Sequence, residues 1–267
     1  MNLPELALDL AEYAQGVEEY TADSYDSTTK TFTINDLSGQ AGVFSGGGTL
    51  WYTDANEEIG MREITQAAGT SIVIAEALPV DYTAGSVLIS PSQPFKMRDF
   101  VSAINVVLSL YPIIDTDTTL DYDQEKREYT LPYGVTNDIR RVEIYRDELV
   151  GEGHYEVYPY WSLANGKLFL YGNRYRYTDD NPIRITYVRN HGRVSYTDDV
   201  DSAVRMDYVR YSAYLNLYRS QIQKRHKDNP ISVDMFNEAK KYEADFTARH
   251  IPQCDLIRKD ICYPYIS

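Results

Sequence analysis

The chain has 267 residues, 43% of them hydrophobic, and a formal net charge of −14. That is apolar material for one large core or two small ones. The acidic balance argues against a general grip on the nucleic-acid backbone, which needs concentrated Lys and Arg, and no run reaches the roughly 18 apolar residues of a membrane helix.

Twenty-five tyrosines are the main compositional feature. A tyrosine carries a large apolar ring and one polar tip, so it suits half-buried β surfaces and wet interfaces. Burial against other chains and a β-rich fold explain the count equally well. The N-terminal MNLPELALDLAEYA lacks a basic region followed by an unbroken apolar run, so it does not read as a signal peptide. The expectation is a soluble chain made in a cytoplasm.

Residues 1–23 read as a helix. Asn2 and Glu5 have capping-box spacing, Pro4 fits the first turn, and Leu3, Leu6, Leu10, Tyr13 and Val17 share a face. Residues 24–93 change to a β pattern. TKTFTI, TLWY, EIGMREIT, TSIVIA and SVLIS are separated by turn residues, as in a small barrel or sandwich. In 94–112, Phe100, Ile104, Val107, Leu108 and Tyr111 mark a second helix that Pro112 ends. Residues 113–197 return to strands, with Asn165-Gly166 as a hairpin signal.

In 198–250 a helix pair is expected. Asp198 and Asp199 offer caps, and Val200, Val204, Tyr208, Tyr211, Leu215, Tyr218 and Ile222 recur at helical spacing. Asn229-Pro230 breaks the run, and Met235, Ala239, Tyr242 and Phe246 mark the second helix. The tail 251–267 has no period but is apolar and aromatic. The fold class expected from this order is α+β: a helical core (N-terminal helix, middle helix, C-terminal helix pair) carrying two β-rich insertions.

The glycine run in FSGGGTLWYT is not a phosphate cradle. A Walker loop needs a second glycine after four residues, then Lys and Ser or Thr. Here Thr49, Leu50 and Trp51 follow, and no lysine lies between Lys30 and Lys96. Gly46 to Gly48 read instead as a turn of positive φ before a strand. The four histidines, His154, His191, His226 and His250, form no HExxH pattern, and no GxSxG elbow occurs. DTDTTLDYD lacks the glycine and closing glutamate of a calcium loop, so its acids read as turn residues. Cys254 and Cys262 have His250 nearby but lack a fourth ligand, so they read as a chance pair. No catalytic residue, metal or cofactor is expected.

The aromatic cluster HYEVYPYW suits sugar or base stacking, or an interface anchor; interface use is preferred, since Tyr and Trp dominate binding hot spots. Pro159 makes it an edge or loop. The candidate partner-binding residues are Tyr158, Tyr160 and Trp161, with Ile251, Leu256, Ile257, Ile261, Tyr263 and Tyr265 in the tail.

A leading helix, TFTINDLSG and GGTLWY, TSIVIAEALPVDYTAGSVLIS, the FVSAINVVLSLYP helix, YTLPYGVTNDIRRVEIY and a Tyr/Arg-rich helix pair occur in this order. Their succession resembles the head–tail connector proteins of tailed bacteriophages, also called adaptors or head-completion proteins. The resemblance implies a virion protein made in the host bacterium. It implies a ring, typically of twelve copies, docked under the portal protein, with helices forming the ring wall and the termini gripping neighbours. Further neck or tail proteins would bind below, and genomic DNA would pass through without specific binding. A tail-completion or baseplate protein is the alternative within virions. A carbohydrate-binding or carbohydrate-active protein, holding sugars on Trp161 and its neighbouring tyrosines with an acid pair nearby, is the alternative outside them.

Overall fold

The computed structural model describes residues 2–79, 82, 84–146, 153–172, 177–195, 198–219 and 230–250, with the backbone alone at 230–232 and 246–250. The chain forms two compact units, one from Met1–Tyr111 with Gly192–Phe246, the other around Pro112–His191. The expected helical core with β insertions does not form. The protein is mostly β, with a seven-stranded antiparallel sheet, two smaller sheets and four helices among the described residues. The reason is that each β region encloses a hydrophobic cluster of its own, so neither is an appendage to the helices.

In the first unit, helix α1 (Leu3–Ala14) begins as the sequence indicates. Asn2 Oδ1 accepts from the Glu5 N–H at 3.0 Å, and Glu5 Oε2 accepts from the Asn2 N–H at 2.6 Å. It ends earlier than its apolar stripe implies. Gly16 turns at φ 82°, so the Gln15 and Gly16 N–H groups both close on Ala11 O. Val17 is therefore outside the helix, and strand β1 (Glu18–Thr21) starts within the segment assigned to helix.

Strands β2 (Ser24–Asp26), β3 (Thr31–Thr33), β4 (Gly48–Thr53), β5 (Ile59–Ala68), β6 (Ser71–Ile74) and β7 (Ser86–Pro91) complete the sheet. Its order is β1-β7-β4-β5-β6-β3-β2. Tyr20 from one edge strand and Tyr25 from the other pack against one cluster with Phe32, Phe44, Leu50 and Ile89, so the sheet curls around its contents.

Strand β4 is buried on both faces. Leu50 and Tyr52 enter the curled core, while Trp51, on the alternate face, donates its indole N–H to Pro4 O of α1 at 3.1 Å. The glycine run serves this strand. Gly47 alone of the three takes a positive φ, 92°. Gly48 opens β4, and a Cβ there would stand 2.4 Å from Ser90 O. Close backbone approach, in addition to turn geometry, explains the run.

Helices α2 (Met97–Leu110) and α3 (Met206–Leu217) pack on each other and on α1. Helix α3 begins later than its periodicity indicates. Arg205 is its N-cap; Asp198 accepts from the Ser195 N–H at 2.7 Å and Asp199 makes an isolated bridge with Asn2, so neither expected acid caps the helix. Tyrosine rings join the helices: Tyr13 meets Tyr211 at 5.5 Å and Tyr214 at 5.0 Å, and Tyr111 meets Tyr208 at 5.7 Å. On helix α4 (Pro230–His250), Tyr242 lies over Tyr211 at 4.2 Å and Phe236 stacks on Tyr218 at 4.3 Å. The Phe246 side chain lies outside the described residues.

The second unit holds β8 (Pro112–Asp121), β9 (Glu128–Thr130), β10 (Ile139–Arg146), β11 (His154–Val157), β12 (Trp161–Ala164), β13 (Lys167–Leu170) and β14 (Pro182–Asn190). They make a four-stranded sheet, β11-β10-β14-β8, and a three-stranded sheet, β12-β13-β9. Val142, Ile144, Ile183 and Ile185 of the first share a core with Tyr129, Leu168 and Leu170 of the second. Asn165 (φ 51°) and Gly166 (φ 71°) form the expected hairpin turn between β12 and β13. DTDTTLDYD falls mainly on β8 and is extended, which corrects its reading as turn acids.

Gln15 ties α1 to the segment before α2. Its amide N–H donates to Ser90 Oγ at 2.7 Å and Pro91 O at 2.8 Å, and its Oε1 accepts from the Phe95 N–H at 3.0 Å. Gln15→Ala is expected to destabilise the first unit by about 2–3 kcal/mol, since it strands buried backbone groups; urea unfolding followed by Trp51 fluorescence measures this.

Burial first, with nearby carboxylates and phenols adding to it, pushes Tyr13, Tyr20, Tyr158 and Tyr214 up to about 12 from 10.0. A group raised in the folded state contributes stability that is full below its unfolded value and is lost as pH rises through the folded one. Stability is therefore expected to fall between pH 10 and about 12, by up to about 1.4 kcal/mol per pH unit for each such tyrosine. Alkaline unfolding, with tyrosinate absorbance rising in the same transition, checks this.

Candidate functional site

The three-stranded sheet of the second unit carries an ordered aromatic surface on its outward side. Strand alternation sets its two faces. The pairs Trp161↔Leu170 and Leu163↔Leu168 share the inward face, and Ser162↔Phe169 shares the outward one. Continuing that register by one residue sets Tyr160 opposite Tyr171, where the Tyr171 N–H donates to Tyr160 O at 2.7 Å. Tyr160 is 59% exposed and Tyr171 48%.

Both rings are held from beneath. Tyr158 is buried, meets Tyr160 edge-on at 6.2 Å, and donates its hydroxyl to Tyr171 O. The Tyr171 hydroxyl lies 2.7 Å from Ser162 Oγ. Gly172, at φ 98°, lets the Tyr160 ring lie close; a Cβ there would meet Tyr160 Cδ2 at 3.1 Å. Lys167 and Glu128 pair across the same sheet. Burial first, then the nearby phenols, pushes the Tyr158 hydroxyl up to about 12, so it remains a donor at neutral pH.

The expected residues thus separate. Tyr160 is exposed. Tyr158 belongs to the core and acts as its support. Trp161 points inward against that core, which leaves it unsuited as a sugar-stacking platform. Ile251, Leu256, Ile257, Ile261, Tyr263 and Tyr265 lie outside the described residues. Phe169 and Tyr171 complete the surface and escaped the sequence reading. The alternation in KLFLYG, with Leu168 and Leu170 inward, carries the signal for both.

The first unit has an acidic cleft of about 670 Å³, lined by Glu5, Asp54, Glu57, Glu58, Glu63, Glu76 and Asp199, with Arg62 as its basic residue. Two of these acids have structural tasks. Glu5 caps α1, and Asp54 closes the β4–β5 turn by accepting from the Asn56 and Glu58 N–H groups at 2.8 and 2.9 Å. Among the described residues no group of three His, Cys, Asp or Glu side chains is arranged to hold a metal ion. Among them, too, no helix is long and apolar enough to cross a membrane.

No known family model matches the chain, and no curated protein matches it.

Tyr158→Phe removes the donor to Tyr171 O. It is expected to destabilise the second unit by about 1–2 kcal/mol, read from urea unfolding monitored through Trp161 in a Trp51→Phe background.

Proposed function

We propose that this chain is a structural subunit of the bacteriophage neck, an adaptor that joins portal to tail by assembling with copies of itself and with neighbouring virion proteins. The observation that carries the reading is the pre-organised pair Tyr160 and Tyr171. Both rings are exposed, yet the Tyr160 ring packs edge-on against Tyr158 and close over Gly172, and the Tyr171 hydroxyl is bonded to Ser162 Oγ. Rings already ordered before binding lose little conformational freedom on contact, which favours them as interface anchors.

The order of sequence segments supports the same reading through its resemblance to connector proteins. In this proposal, β faces make the contacts that the resemblance assigned to a helical wall. Residues 1–111 carry 15 acidic side chains against 4 basic ones. Such a surface repels phosphate, as a passage for moving DNA requires.

Co-expression with the portal protein of the same phage, followed by affinity capture and electron microscopy, tests the proposal. Rings bound to portal are expected, and Tyr160→Ala with Tyr171→Ala is expected to reduce capture about tenfold or more. Failure of the wild-type chain to bind portal would overturn the reading.

A further inference from the structure

The four-stranded sheet of the second unit also has an outward face, and its chemistry differs. Register places Glu143 between Val157 and Arg184, Tyr145 opposite Tyr155, and Arg141 opposite Thr186. Glu143 sits on this outward face yet is only 2% exposed. It is enclosed by an ionic triad: Arg184 Nε donates to Glu143 Oε2 at 2.7 Å, and Arg141 approaches Oε1 at 2.6 Å. The Arg184 guanidinium also lies over the Tyr155 ring at 4.1 Å, and Tyr155 meets Tyr145 edge-on at 5.4 Å. Both guanidiniums remain partly open to solvent.

Among the described residues, the triad carries one net positive charge. Val157 and Ile114 lie on the same face and are 47% and 59% exposed. Ordered Arg and Tyr beside exposed aliphatic groups is the composition of an interface core. Two such faces would repel each other through their arginines, so the complement is an acidic element.

The first unit supplies one in the β4–β5 turn. Asp54 closes the turn, Glu57 adopts φ 64°, and Glu57 and Glu58 are exposed at its tip. We propose that the Arg141/Arg184 face of one copy receives the Glu57-Glu58 turn of a second copy. This deepens the assembly reading above and rests on it. Because the two surfaces differ, the contact is head-to-tail, the type that closes into a ring or extends as a filament.

Sedimentation velocity on the full chain at low and high salt tests the pairing. The wild type is expected to self-associate, less so at high salt. Arg141→Glu, which leaves Arg184 on Glu143, and the double variant Glu57→Lys/Glu58→Lys are each expected to weaken association about tenfold or more. Combining all three substitutions is expected to restore it. Circular dichroism and melting of each variant confirm that it folds.

A monomeric wild type, association unmoved by either charge change, loss with only one of the two, or no rescue in the combination overturns the pairing. Loss with Arg141→Glu alone would mean that the face takes an acidic partner other than this turn. Portal capture, measured separately, decides the neck reading whichever way these results fall.

Discussion

A buried phenol places its ring among apolar groups and is stabilised further where its hydroxyl finds a partner at the same time. Much of this structure depends on meeting that double condition between segments far apart in sequence. The Tyr25 hydroxyl accepts from the Leu78 N–H at 2.9 Å, and the Tyr111 hydroxyl from the Arg205 N–H at 3.1 Å. Tyr158 donates to Tyr171 O, just past β13 of the neighbouring sheet. Each ring adds apolar burial, and each tip fixes which strand or turn lies beside it. A phenylalanine at these positions would fill the space without specifying the neighbour.

The same residue type therefore serves three ends. Tyr13, Tyr211 and Tyr214 join helices within the first unit through edge-on contacts. Tyr122, Tyr129, Tyr158 and Tyr177 build the core of the second unit. Tyr160 and Tyr171 face solvent and are held by the layer beneath. Of the two explanations for the tyrosine count, the β-rich interior accounts for a large share, and Tyr160 and Tyr171 are exposed outside it.

The two outward faces of the second unit show how similar residues acquire different uses. On the three-stranded sheet, Tyr160, Phe169 and Tyr171 stand beside a surface Lys167–Glu128 pair that is open to water and contributes little. On the four-stranded sheet, Glu143 is desolvated between two arginines, and their Coulomb attraction offsets the cost of burying its charge. The first face suits shape and aromatic contact. The second holds its guanidiniums in fixed positions beside Glu143.

Much of the local structure was legible in the sequence. The Asn2–Glu5 capping box, the Asn165-Gly166 turn, the α2 stripe and most strands follow from short-range rules of spacing, caps and turn chemistry. The edge-or-loop reading of HYEVYPYW fits β11, which lies at a sheet edge, whereas β1 is hidden from the sequence because Val17 continues the α1 stripe past Gly16. The architecture was not legible locally. Helical stripes show that a face must be covered, but not by what. TLWY carries no mark that Trp51 faces α1 while Leu50 and Tyr52 face a curled sheet. That both sheet edges close on one core, that Tyr158 is buried while Tyr160 is exposed, and that Glu143 lies buried between Arg141 and Arg184 depend on strand pairings between distant segments. Tertiary structure alone decided these, because burial and hydrogen-bond pairing are properties of what surrounds a residue and not of its neighbours in the chain.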